Sequence, residues 1–225
     1  MARFIFITGT DTGVGKTVLA VALTRWLRAN GRSAVALKPL ASGDRDDALK
    51  LEAAQDGALP IDWINPWSFS EPLAPLLAAR RDGRLITAGT LIGHLKATGK
   101  RGDPVVIEGA GGLLSPLVEG ADAPEVIAAL RARTVIVARD RLGVINQVRL
   151  VWGALPASAR RYAQVVLMAE PRGDHSTPTN RELLAEYIGL ERIHRCPRWS
   201  RREMDRTPEG KSAEVLAGLA AGLGV

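Results

Sequence analysis

Arg3-Phe4-Ile5-Phe6-Ile7-Thr8 runs straight into Gly9-Thr10-Asp11-Thr12-Gly13-Val14-Gly15-Lys16-Thr17, and this stretch decides the fold. The apolar run reads as a β-strand, the glycines as a tight loop, and Lys16 onward as the start of a helix. Such a loop turns several backbone N–H groups into one concavity, where a polyphosphate can sit at the positive end of the following helix. Lys16 supplies a mobile charge for the outer phosphates, and the Thr17 hydroxyl can ligate the Mg²⁺ that travels with a nucleotide. The strict P-loop spacing, Gly-x4-Gly-Lys-Thr, would place its first glycine at position 10. Thr10 stands there instead, and Gly9 comes one residue early.

Outward from this loop, 225 residues with 46% hydrophobic composition suffice for one core, so one domain is expected over residues 1–225. Short Val/Ile-rich runs at 33–38, 104–108, 134–138, 164–169 and 192–196 read as further strands. Helical periodicity covers 16–30, 46–56, 87–98, 146–155, 180–188 and 212–223. This alternation predicts an α/β fold of the P-loop NTPase kind, a mainly parallel β-sheet flanked by helices on both faces. In such sheets ligands gather beyond the carboxyl ends of the strands.

A single cysteine, Cys196, excludes an intrachain disulfide and a multi-cysteine zinc site, and fits a reducing compartment as a buried filler. The apolar residues before Thr8 are too few for a signal-peptide core, and no stretch approaches membrane-spanning length. A cytoplasmic protein with no membrane partner is the expectation. The formal charge is +6, but the basic pairs Arg80-Arg81, Lys100-Arg101, Arg160-Arg161 and Arg201-Arg202 are dispersed, with no aromatic platform between them. That pattern describes a solvated basic surface rather than a nucleic-acid site. It would still draw in small anions.

Two further strand ends carry chemistry. Lys38-Pro39-Leu40-Ala41-Ser42-Gly43 places a lysine and a hydroxyl beside the phosphate loop, although an isolated strand-end lysine also reads as a plain surface cation. Val105-Val106-Ile107-Glu108-Gly109-Ala110-Gly111-Gly112 delivers a carboxylate followed by glycines. A strand-end acid beside a P-loop is the usual partner of Mg²⁺, and the glycines let backbone N–H groups approach an anion. The plainer reading is a solvent-facing Glu before a tight turn.

These motifs occur in order with Asp47-Ala48-Leu49, with the stretch from Asn65-Pro66-Trp67 to Glu71-Pro72-Leu73-Ala74-Pro75, and with Leu142-Gly143-Val144-Ile145-Asn146. Over roughly residues 3–150 the chain resembles the dethiobiotin synthetase family, ATP-dependent ligases that close the ureido ring in the penultimate step of biotin synthesis. The resemblance implies that CO₂ joins an amine of 7,8-diaminopelargonate as a carbamate, that the carbamate attacks the γ-phosphate of ATP, and that the second amine then displaces phosphate. It implies Lys16, Lys38, Thr12 and Ser42 as catalytic residues. Nucleotide binding falls to Gly13, Val14, Gly15, Lys16, Thr17, Glu108 and Gly111, and Mg²⁺ binding to Thr17, Asp47 and Glu108. Lys38, Ser42, Ala110, Gly111, Gly143, Val144, Ile145 and Asn146 are implied to hold substrate, the last four from the neighbouring subunit of a homodimer. By residues alone, Asp44, Asp46 or Asp47 could equally cap a helix, and Leu142–Asn146 could be an ordinary helix start.

Because the carbamate is itself the nucleophile, no Ser/His/Asp or Cys/His set is needed, and His94, His175 and His194 read as structural or surface residues. Two other readings are a P-loop ligase of the cobyrinate diamide synthase branch and a ParA/MinD-like ATPase. The first usually carries an amidotransferase domain, for which 225 residues leave no room; the second has a signature lysine where Asp11 stands. The chain also departs from the family it resembles. Where that family has an Asn-Asp pair reading adenine, Ala169-Glu170-Pro171 follows the strand, and Asn180 further on reads as a helix N-cap. Other nucleoside triphosphates are therefore expected to substitute for ATP.

Overall fold

The computed structural model describes residues 3–225. Its centre is a six-stranded sheet in the order β2-β5-β1-β6-β7-β8, every neighbouring pair parallel. The strands are β1 (Phe4–Gly9), β2 (Val35–Leu37), β5 (Val105–Glu108), β6 (Arg133–Arg139), β7 (Gln164–Met168) and β8 (Ile193–Cys196). Every residue of β2, β5 and β7 is buried, because a parallel sheet covered on both faces takes unbroken Val/Ile runs rather than alternation. Between β2 and β5, β3 (Leu40–Ser42) and β4 (Trp67–Phe69) pair in parallel as a separate two-stranded unit.

From β1 the chain steps to β2 on one side, then returns through β5 to β6, β7 and β8 on the other. With right-handed crossovers the reversal sends helices to both faces. On one lie α1 (Lys16–Ala29), α2 (Asp46–Ala54), the short α10 (Arg201–Met204) and α11 (Gly210–Leu223). On the other lie α5 (Ala88–Thr98), α6 (Ala123–Leu130), α7 (Val144–Ala154), α8 (Ala157–Arg160) and α9 (Asn180–Ile188). The short α3 (Ile61–Ile64) and α4 (Pro75–Arg81) flank β4 in the chain. No helix among the described residues is long and apolar enough to cross a membrane.

Each expected strand and helix is present, with ends shifted by at most two residues. The strand expected at 134–138 begins at Arg133 and runs on to Arg139. The periodicity reading passes over β3, β4 and five helices, mostly elements of three or four residues. Of these, α6 had a legible start: the Glu125 carboxylate accepts the Asp122 N–H at 2.9 Å, half of a capping box.

Candidate active site

Three strand ends meet around the loop that follows β1. Gly15 sits at φ 104° in the left-handed region and no side chain caps α1, so the first-turn N–H groups of that helix stay free for an anion. The space beside Gly15 is filled from below: a Cβ there would lie 3.1 Å from Met168 Cε, at the end of β7. Lys16 folds back over the loop, its Nζ donating to the Asp11 carbonyl at 2.9 Å. Burial, reinforced by the Lys38 charge nearby, lowers its pKa to about 8. A bound triphosphate would oppose both effects, restoring the ammonium where charge is needed.

Beside this loop lies a compact ionic cluster. Lys38 Nζ, buried just beyond β2, donates to Glu108 Oε1 at 2.6 Å, to Asp47 Oδ2 at 3.3 Å and to the Gly109 carbonyl at 3.4 Å. Thr17 Oγ1 donates to the same Glu108 Oε1 at 2.8 Å. Burial works against the Lys38 charge, but the Glu108 and Asp47 carboxylates override it and hold its pKa above the ordinary lysine value. Burial likewise pushes Asp47 up, and the Lys38 charge overrides that and holds it below the usual carboxylate range. The backbone that delivers Lys38 is held from the side by Asn65, whose buried amide donates to the Lys38 carbonyl at 2.7 Å.

The structure thus separates the three candidate aspartates. Asp44 Oδ1 accepts the Asp46 N–H at 3.0 Å, a local turn bond, while Asp47 alone turns to the cluster. One polar atom of the cluster, Glu108 Oε2, is buried without a partner among the described residues, and so is Ser42 Oγ at the end of β3. Buried polar atoms are rarely left unpaired. Two carboxylates and a hydroxyl form a hard oxygen set, and with the unpaired Glu108 oxygen they suit Mg²⁺, which keeps several of its own waters.

Ala110 and Gly111 follow Glu108 on the same side. Gly111 has φ +66°, and a Cβ there would fall 2.4 Å from Ser115 Oγ, so only glycine fits. Thr12 is exposed at the loop tip. Gly143–Asn146 open α7, with Gly143 at φ 92° and no side-chain cap. Within one chain, no hydrogen bond or ion pair among the described residues joins that helix start to the phosphate loop, Lys38 or Ser42. The α7 start is instead tied to the β7–α9 loop, where Asp174 Oδ2 accepts the Leu142 N–H at 2.7 Å.

At the ends of β6 and β7 the sequence reading needs correction. Asn180 is not the N-cap of α9; Thr179 occupies that position. The Asn180 amide is buried and donates to Asp140 Oδ1 at 2.9 Å, while Arg195 Nε donates to Asp140 Oδ2 at 2.8 Å. Arg195 also donates to the Thr177 carbonyl. Arg139, unnoticed in the sequence, donates from Nη2 to the Gly13 carbonyl at 2.7 Å. Nothing in the chain marks Arg139 in advance, since an arginine after an apolar run reads as a surface cation. His94 and His194 bond the Trp63 carbonyl and Gln164, away from the loop, and burial raises the Cys196 thiol to about 12.

A phosphate loop after β1, with an acid at the end of the neighbouring β5 and a lysine just beyond β2 on the far side of β5, defines a P-loop nucleotide-binding protein. Solved structures agree on the fold: the MinC:MinD cell division complex of Aquifex aeolicus has a TM-score of 0.59 at 12% identity, covering 100% of this chain and 96% of that one. The septum site-determining protein MinD of Pyrococcus horikoshii, complexed with Mg-ADP, has a TM-score of 0.55 at 16% identity, covering 98% and 95%. A family model described as an AAA domain matches residues 3–201. The ATP-dependent dethiobiotin synthetase BioD of Anaeromyxobacter sp. (strain Fw109-5) is 41% identical over 86% of this chain and 89% of its own. That of Methylobacterium nodulans is 36% identical over 83% and 89%. The chain belongs to the dethiobiotin synthetase family of ATP-dependent ligases.

Proposed function

We propose that this chain joins CO₂ to 7,8-diaminopelargonate and closes the ureido ring at the expense of Mg·ATP, in a homodimer whose two active sites each draw on both chains. The observation that carries this reading is the ionic cluster of Lys38, Glu108, Asp47 and Thr17 beside the phosphate loop, with Glu108 Oε2 still unpaired. The reaction brings two anions together, a carbamate and the γ-phosphate. Lys16 and Lys38 would neutralise their oxygens, and Thr12 and Ser42 would orient them. The carbamate oxygen bonds to the γ-phosphorus as ADP departs, and the second amine then bonds to the carbamate carbon as phosphate leaves. Thr17, Asp47 and Glu108 would hold Mg²⁺, which supplies electrostatic stabilisation of the triphosphate.

The shared site is supported by the apolar surface beside the loop. A cavity of about 470 Å³ runs from Thr10–Thr12 past Leu113 and Leu114 to Leu150 and Val151 of α7. Leu114, Leu142 and Leu150 are each more than 60% exposed in the single chain, the kind of surface a second copy covers.

Purified protein given diaminopelargonate, bicarbonate, Mg²⁺ and ATP is expected to yield dethiobiotin, ADP and phosphate in equal amounts. ATP hydrolysis without dethiobiotin would overturn the assignment. In the same assay GTP, CTP and UTP are expected to give rates within about tenfold of ATP. Without a side-chain amide at Ala169, roughly 1–3 kcal/mol of base discrimination is missing while triphosphate contacts remain. A preference for ATP above about a hundredfold in kcat/KM would show that the base is read by another route.

A further inference from the structure

We propose that Arg139 is a positioning residue of the nucleotide site, clamping the phosphate loop in its anion-binding shape through the Gly13 carbonyl; this rests on the nucleotide reading given above. Arg139 ends β6, the hydrogen-bonded neighbour of β1, and so stands on the flank of the loop opposite Lys38. Its guanidinium donates twice to one acceptor, Nη2 to Gly13 O at 2.7 Å and Nε to the same oxygen at 3.2 Å. From the other side Glu170, just past β7, places Oε1 3.5 Å from Nε. The side chain is therefore held between the loop and the end of the next strand, although it is 40% exposed.

The consequence follows from peptide geometry. In a planar trans peptide the carbonyl and the next N–H point in opposite directions. Fixing the Gly13 carbonyl outward therefore turns the Val14 N–H inward, toward the space a phosphate occupies in such loops. Gly13 needs this restraint more than another residue would. It lies at φ +70°, and glycine samples the alternatives on both sides of φ freely. A Cβ at Gly13 would meet Arg139 Nη2 at 3.4 Å, an ordinary contact, so it is the positive φ rather than space that calls for glycine here. Glu170 has a second effect. Its carboxylate keeps the guanidinium over the carbonyl rather than letting it swing onto the triphosphate, so the cation acts through the loop. A lysine could reach the carbonyl with a single bond but cannot reproduce the two-donor fork.

The test measures Kd by calorimetry, with Mg²⁺, for inorganic triphosphate and for ATP, GTP, CTP and UTP on the wild type, Arg139→Ala, Arg139→Lys and Glu170→Gln. Arg139→Ala is expected to weaken all five ligands by a similar factor, about tenfold or more for loss of a charged hydrogen-bond pair. Arg139→Lys should recover part of the loss and Glu170→Gln should fall between, with the melting midpoint of the ligand-free protein held. In turnover, KM for the nucleotide should rise by more than kcat falls. Equal binding by wild type and Arg139→Ala overturns the clamp alone. A loss confined to one nucleoside triphosphate, with inorganic triphosphate unaffected, overturns it in favour of direct base contact. A loss that tracks a fall in the ligand-free melting midpoint, with no recovery in Arg139→Lys, overturns it in favour of a purely structural contact. Failure of triphosphate to bind the wild type overturns the nucleotide reading itself, and the clamp with it.

Discussion

Alanine at Lys16 or at Lys38 is expected to lower kcat by two or more orders of magnitude, the usual scale for removing a charge aimed at a transferring phosphoryl group. The two variants should differ in every other respect. Among the described residues Lys16 bonds only the Asp11 carbonyl, and burial with the nearby Lys38 charge lowers its pKa to about 8. Removing it should leave stability unchanged or raise it. Lys38 neutralises Glu108, which is 1% exposed, and its loss leaves that carboxylate buried with only the Thr17 hydroxyl. Stranding one member of a buried ion pair costs about 3–5 kcal/mol, so Lys38→Ala should also melt earlier. Steady-state kinetics together with thermal melting on Lys38→Ala and on Lys38→Met/Glu108→Gln separates the two effects. The double variant should regain much of the stability, since no charge is left unpaired, and none of the activity. Near-normal turnover by Lys38→Ala would remove it from the mechanism.

Mixing two inactive proteins is expected to restore about a quarter of wild-type activity, if the α7 start serves the partner's phosphate loop. One carries Lys16→Ala; the other carries Asn146→Asp, which sets a negative charge at the exposed helix start where the substrate carboxylate would dock. Random reassortment makes half the dimers mixed, and in each mixed dimer one site inherits both defects while the other inherits neither; the quarter is an order-of-magnitude figure from two-fold symmetry. Were the α7 start to serve its own chain, every site in the mixture would carry one defect and no activity would return. Co-refolding or prolonged exchange followed by the dethiobiotin assay reads the difference. A fully active monomer at assay concentration would equally refute the shared site.

What could be read in advance follows a physical divide. The buried strands announce themselves because both faces of each are covered, and Val105–Ile107 or Val165–Leu167 admit little but apolar residues. The candidate residues at the carboxyl ends were legible for the same reason: a Lys, a Glu or a Gly-Lys-Thr directly after such a run breaks the pattern. Short elements such as β3 and β4 give too few residues for a period to show. The polar network of Asp140, Asn180 and Arg195 was illegible because its members lie up to 55 residues apart and each has an ordinary local role. Arg139 fell in the same blind spot, since its partner is a backbone carbonyl and no side-chain pattern encodes that.

The order of the strands has a consequence for when this protein becomes functional. β5 lies between β2 and β1, and the Lys38–Glu108 contact joins residues 70 positions apart. Until β5 inserts, no strand bridges β1 and β2 and the lysine lacks Glu108, keeping only the local Asp47, so the complete cluster cannot precede closure of this half of the sheet. Such non-local pairing is slow to form, and a ligand that binds only the finished site shifts the balance toward it by mass action. On the proposed reading, ATP in the surrounding solution would thus favour completed sheets in a newly made chain, and a chain interrupted before Val105 would lack the Glu108 half of the cluster.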